Sequence, residues 1–165
     1  MNGSESNSIQ KPTNTQRKPK IFLAAPYSQW MDWHCGRILP HWQERLERLR
    51  RELILSGAAV FSAHYNEQWG EAWLPAEICT RADFAALQVS DTVCAVIGQP
   101  PSGGVAVELG WAAALRKPSL VILQSEGSCT PLIHGLPSIV HAEFLEEDLD
   151  MQNSLRRIWN GRTSL

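Results

Sequence analysis

Apolar positions along this chain alternate between short continuous runs and helical repeats. Ile21-Phe-Leu-Ala-Ala25 is a continuous run and reads as a buried strand. Leu39, Trp42, Leu46, Leu49 and Leu53 then recur at helical spacing. Glu44/Arg48 and Glu47/Arg51 fall as i,i+4 pairs on the polar side, and Gly57 ends the helix. Ala58 to Ser62 is a second strand, and Pro75 opens a helix to about Val89. Thr92 to Ile97 is a third strand, and Val105 to Leu115 a helix broken by Lys117-Pro118. Ser119 to Leu123 is a fourth strand, Pro131 to His134 a short helical turn, and Val140 to Phe144 a weaker fifth strand. A final amphipathic helix covers about Glu147 to Trp159, with Leu149, Leu155, Ile158 and Trp159 as its apolar face. Residues 1 to about 18 are polar and lack periodicity, so a disordered tail is expected before a single domain over 19–165.

Strands alternating with helices imply an α/β fold, a doubly wound five-stranded parallel sheet of the Rossmann or flavodoxin kind with helices on both faces. Ligands in such sheets bind beyond the carboxyl ends of the strands, which selects the loops at 26–36, 63–74 and 98–105.

Charge narrows the ligand. The net charge is -2 over 165 residues, and the pI of about 6.2 gives no sign of a basic surface for nucleic acid or an anionic membrane. A small molecule is expected instead. Cys35, Cys79, Cys94 and Cys129 form no CxxC pair, and His34, His41, His134 and His141 show no metal-ligand spacing, so no metal site is expected. No secretory leader and no membrane-length apolar run is visible, which suggests a reduced, cytoplasmic protein.

The candidate chemistry centres on Gly98-Gln-Pro-Pro-Ser-Gly-Gly-Val-Ala-Val-Glu-Leu-Gly-Trp-Ala112. A strand runs into a glycine-rich turn that opens a helix, and free N–H groups at a helix start suit a phosphate. Glu108 stands in the early turns of this otherwise apolar helix. It either complements the helix dipole or acts in catalysis, and the same dipole would keep it ionised. Asp83, among apolar neighbours on the preceding helix, is either a solvated position paired with Arg81 or the partner of Glu108. Two carboxylates around one anomeric carbon are the usual equipment for glycoside cleavage. Asp91 reads as structural, at the start of the third strand. Trp30, Trp33, Trp69 and Trp73 crowd the first two loops, where rings either pack in the core or stack on a base. His64, after the second strand, either contacts ligand or caps its loop.

With these residues in place, the chain resembles the nucleoside 2-deoxyribosyltransferase superfamily over about residues 20 to 145. The likeness rests on Lys20-Ile-Phe-Leu-Ala-Ala-Pro26, on Asp83 with Asp91, and on Ser102 to Trp111 containing Val107-Glu-Leu-Gly110. Ala63-His-Tyr-Asn-Glu-Gln-Trp-Gly70, Pro75-Ala-Glu77, Thr80-Arg-Ala-Asp83 and Glu108-Leu-Gly-Trp-Ala112 look like its CMP and hydroxymethyl-CMP N-glycosidases of nucleoside-antibiotic pathways.

That resemblance implies roles. Glu108 matches the nucleophile that forms a glycosyl ester, and Asp83 the carboxylate beside it. Ser102 stands where the transferases tend to have an acidic residue facing a free 5'-hydroxyl and the monophosphate hydrolases have serine. A hydroxyl can donate to phosphate, so a nucleotide substrate is expected. Gly103 and Gly104 would hold that phosphate through their N–H groups. Phe22 replaces a tyrosine of deoxy-specific members, which favours ribose. Tyr27 and His64 would contact substrate. Thr130 matches a residue that reaches the neighbouring subunit's site, so a homodimer with shared active sites is implied. Ser28 departs from the arginine that the antibiotic-pathway enzymes tend to carry after the aromatic of the first loop.

The expected activity is hydrolysis of the N-glycosidic bond of a pyrimidine nucleoside 5'-monophosphate, such as CMP or a 5-substituted CMP, without a cofactor. Three alternatives stand beside it: a base-exchanging transferase, a cytokinin-type phosphoribohydrolase, and a non-catalytic nucleotide-binding module. The phosphoribohydrolase's PGGxGTxxE loop is missing from the sequence.

Overall fold

Apolar runs without alternation need cover on both faces, and the chain supplies it. The computed structural model describes residues 17–124, 129–146 and 151–160. In chain order the strands are β1 (Lys20–Ala24), β2 (Met31–Asp32), β3 (Arg37–Ile38), β4 (Ala59–Ser62), β5 (Thr92–Ile97), β6 (Ser119–Leu123) and β7 (Ala142–Glu146). The helices are α1 (Pro40–Leu55), α2 (Ala63–Asn66), α3 (Ala76–Val89), α4 (Gly103–Ala114), α5 (Pro131–His134) and α6 (Met151–Asn160).

The main sheet is five-stranded and parallel, in the order β4-β1-β5-β6-β7. This is the doubly wound α/β arrangement expected from the alternation of elements. Successive residues of one strand serve opposite layers. Ile21 and Leu23 pack with Leu46 and Leu53 of α1 and with Leu155 and Ile158 of α6. Phe22 and Ala24 pack with Leu87 of α3 and with Val105, Leu109 and Ala112 of α4. The chain turns from one side of β1 to the other between β4 and β5, so the crevice opens past the carboxyl ends of β1 and β5.

Several boundaries differ from the periodicity. Helix α4 begins at Gly103, two residues before Val105, because Ser102 acts as its N-cap and accepts the Val105 N–H at 3.5 Å. Strand β7 begins at Ala142 because the Val140 N–H is used by the Leu136 carbonyl and cannot join the ladder. The first loop contains the antiparallel ribbon β2–β3, which the apolar pattern did not indicate. Glu47 accepts a hydrogen bond from Gln43 at 3.1 Å, where a pair with Arg51 was expected. Most of the expected tail and the expected start of the last helix, with Leu149, lie outside the described residues. No helix among the described residues is long and apolar enough to cross a membrane.

Two glycines fix the loops around the crevice. A Cβ on Gly98 would stand 2.6 Å from Pro26 Cγ, so the turns after β1 and β5 touch only because glycine is there. Gly70 has φ +104, and a Cβ on it would stand 2.5 Å from the Gly36 carbonyl oxygen.

Candidate active site

A cleft of about 330 Å³ opens at this end of the sheet, within the range of small-molecule sites. Strand β1 contributes Leu23 and leads to Ala25, Tyr27 and Ser28 on the cleft wall; β4 leads to Ala63, His64 and Glu67. Asp83 comes from α3, while Ser102, Gly104, Val105 and Glu108 come from the start of α4. Helices α3 and α4 lie side by side, which brings the two carboxylates to one place.

Glu108 stands on the second turn of α4, past the orphan N–H groups where a helix dipole acts most strongly. The expectation that the dipole keeps it ionised is therefore corrected. Burial, and then the negative charge of Asp83, push its carboxyl up to about 8. Asp83 is buried and is also raised by desolvation. Its partner is Cys79, whose thiol donates to Oδ2 at 3.5 Å and pulls it the other way. A solvated Asp83 paired with Arg81 is thereby ruled out. Desolvation and neighbouring carboxylates push the Cys79 thiol up to about 12, so it stays a neutral donor.

Ser102 uses its oxygen to cap α4, which leaves the hydroxyl hydrogen free to donate. Gly103 and Gly104 follow it as the first residues of the helix, where N–H groups have no intrahelical acceptor. Gly104 lines the cleft with Ser102, whereas Gly103 does not.

His64 is 2% exposed, and its Nε2 lies 2.9 Å from the Pro26 carbonyl oxygen. That oxygen can only accept, so Nε2 carries the hydrogen. Burial lowers the imidazole to about 4 and keeps it neutral. Tyr27 stacks on this ring at 4.5 Å and donates its hydroxyl to Glu67 Oε2 at 2.9 Å. Burial is the first of several causes that raise the Tyr27 phenol above its ordinary value.

Phe22 is not on the cleft. It is 1% exposed and stacks on Phe61 at 5.3 Å, on the sheet face opposite to that of its neighbour Leu23. A contact between Phe22 and a sugar is therefore corrected to core packing. Thr130 precedes α5, is exposed, and lies apart from this cleft. Of the tryptophans, Trp30 is buried against Trp42, Trp69 packs beside the core, and Trp33 is largely exposed. Only Trp73 lines the cleft. Asp91 has the structural role expected: it pairs with Arg17 at 2.7 Å and accepts the Lys20 N–H at 2.8 Å.

Sequence reasoning missed Glu67 and Cys79 as site residues. A period-four relation, Cys79 to Asp83, was the available signal for the thiol. Among the described residues no group of three or more His, Cys, Asp or Glu is arranged to hold a metal ion.

This cleft, with paired carboxylates beside a helix start, sits in a recognised family fold. Residues 21–154 match the profile of nucleoside 2-deoxyribosyltransferase, and the chain belongs to that family. Among solved structures, it is similar to BlsM, at 26% identity and TM-score 0.73, covering 90% of this chain and 96% of that one. The CMP N-glycosidase BcmB of Clostridium botulinum shares the fold at 22% identity and TM-score 0.56, covering 88% and 99%. The 2-desoxiribosyltransferase of Leishmania mexicana aligns at 19% identity and TM-score 0.50 over 65% of each chain. No functionally curated protein matches the chain significantly by sequence.

Proposed function

We propose that this protein hydrolyses the N-glycosidic bond of a pyrimidine nucleoside 5'-monophosphate, CMP or a 5-substituted CMP, releasing the base and the sugar 5-phosphate. The observation that carries the reading is the pairing of Glu108 and Asp83 in one cleft with the hydroxyl of Ser102 and the start of α4. The carboxylates suit an anomeric carbon, and the hydroxyl with the helix N–H groups suits a phosphate. Likeness to a fold that includes a CMP N-glycosidase adds support.

The raised Glu108 carboxyl gives the mechanism a charge balance. At neutral pH the pair holds one proton and one negative charge. The proton passes to the departing pyrimidine through Asp83 as Glu108 attacks C1'. The C1'–N bond breaks, its electron pair takes the proton, and Glu108 becomes a neutral ester while Asp83 stays ionised. Water then attacks C1' with Asp83 as base: the water proton goes to Asp83, the hydroxyl joins C1', and Glu108 leaves as a carboxylate, so the pair again shares one proton. The buried pair carries one negative charge before and after each step, which avoids concentrating charge in a poorly solvated place. Ser102, Gly103 and Gly104 hold the phosphate, Tyr27 and His64 shape the wall against the nucleoside, and Thr130 completes the site of a second subunit in a homodimer.

The test is chromatography after incubation with CMP, dCMP, UMP, AMP and cytidine. Cytosine is expected from CMP and little from cytidine; the dCMP arm reads the sugar preference. Equal turnover of cytidine would overturn the role of Ser102, and no base from any nucleotide would overturn the hydrolase. A second reading, base exchange, is favoured by the family match itself; it requires a new nucleotide to form when a second base is added.

A further inference from the structure

Tyr27, His64, Glu67 and Trp73 all line the cleft. Every side-chain hydrogen that these residues can donate is already engaged when Glu67 is ionised. The Tyr27 hydroxyl donates to Glu67 Oε2, His64 Nε2–H to the Pro26 carbonyl, and Trp73 Nε1–H to the Gly36 carbonyl at 3.3 Å. Acceptors remain. Glu67 keeps its second carboxylate oxygen, and His64 Nδ1 is buried with no hydrogen-bond partner. Among the described residues no Lys or Arg lines the cleft to neutralise Glu67. A ligand lying against these four side chains therefore meets acceptors and pairs with them through hydrogens of its own.

Glu67 is well placed to read such a ligand. It is 5% exposed, and its backbone is fixed at both ends: its N–H donates to the Ala63 carbonyl at 2.8 Å, and its carbonyl accepts from Gly70 at 3.1 Å and Ala72 at 3.0 Å. Tyr27 then sets the carboxylate itself. A 4-aminopyrimidine offers the free oxygen an N–H. Its 4-oxo counterpart turns a lone pair toward the same oxygen and leaves a buried acceptor unpaired.

We propose that Glu67, positioned by Tyr27, selects an amino-bearing base in this cleft, a 4-aminopyrimidine over the 4-oxo form. The assignment rests on the nucleotide reading above and adds the group that chooses the base.

Binding tests it without turnover. Calorimetry with CMP and with UMP is run on the Glu108→Gln protein, then on the same protein carrying Glu67→Gln. The amide keeps an oxygen for the Tyr27 hydroxyl and adds an N–H for a 4-oxo group. The parent is expected to bind CMP at least about tenfold more tightly than UMP. In the double variant the ratio is expected to fall to about threefold or less, with UMP gaining affinity. Tyr27→Phe in the Glu108→Gln background keeps a ring over His64 but releases the carboxylate, and is expected to lower the ratio part-way. Binding of both nucleotides with a ratio unmoved by Glu67→Gln, or no preference in the parent, overturns the role of Glu67 alone. Failure of both nucleotides to bind a parent that melts cooperatively overturns the nucleotide reading and this assignment with it.

Discussion

Cys79 donates its thiol hydrogen to Oδ2 of Asp83 one helical turn further along α3. Of the influences on Asp83, this bond favours the ionised form, while desolvation opposes it. Cys79→Ala is therefore expected to raise the Asp83 carboxyl further, and Cys79→Ser to restore a donor. The acid limb of the kcat/KM profile should move to higher pH in the alanine variant and return in the serine variant. A limb that stays fixed in Cys79→Ala would remove Cys79 from the positioning of Asp83.

The carboxyl of Glu108, near 8, sets the other limb. Above that pH the pair loses the proton needed by the leaving base, so kcat/KM should decline on the alkaline side. Asp83→Asn removes the second of the two causes that raise Glu108 and leaves burial, the larger one. Residual activity in that variant should therefore show its alkaline limb shifted to lower pH. An unshifted limb would show that the two groups do not interact.

The same group makes stability depend on pH. From about 4.5 to about 8 the folded state retains a proton that the unfolded chain has released, so stability falls as pH rises through that window. Glu108 keeps some contact with solvent, which reduces the effect. Glu108→Gln is expected to be more stable than the natural protein at pH 9 by on the order of 2 kcal/mol, and to differ little near pH 4. Thermal melts at the two pH values read this directly, while base release from CMP should drop by about 10³-fold or more.

Ser102→Asp keeps a good N-cap for α4 and places a negative charge where a phosphate is expected. Turnover of CMP should fall by about tenfold or more, while that of cytidine changes less or improves. Parallel losses for both substrates would place the phosphate elsewhere.

Gly70→Ala tests the packing of the first two loops. The added methyl would meet the Gly36 carbonyl at a position whose φ is already left-handed, and that carbonyl also accepts the Trp73 indole N–H. A loss of about 2–4 kcal/mol in denaturant unfolding is expected, with weaker nucleotide binding because Trp73 lines the cleft.

Much of this architecture was legible in the sequence for identifiable reasons. Strands β5 and β6 are apolar after a first hydroxyl residue, Thr92 or Ser119, and are flanked by sharp boundaries, so their limits were read without error. Helix α4 was found, but its start was not, because the capping role of Ser102 was masked by its place in a glycine-rich turn. Ribbon β2–β3 has two residues per strand, too few for any alternation to register. Phe22 was misplaced because a one-residue step along β1 moves a side chain to the other sheet face. The ionisation of Glu108 was misjudged because a linear reading sees its distance from the helix start but not the burial that outweighs the dipole. Glu67 sat within the stretch that carried the resemblance, yet only its bond to Tyr27, forty positions away, gives it a role.

Because Asp83, β5, the glycine-rich turn and Glu108 all fall between residues 76 and 114, the spacing of the two carboxylates is set by one uninterrupted stretch of chain. Tyr27, His64, Glu67 and Trp73 belong to an earlier stretch that ends before α3 begins. Under the proposed function, the groups that would break the bond and those that would sort bases are thus modular in the primary structure. Grafting residues 63–74 from a relative with another preference should retune what is accepted while leaving the cutting step intact.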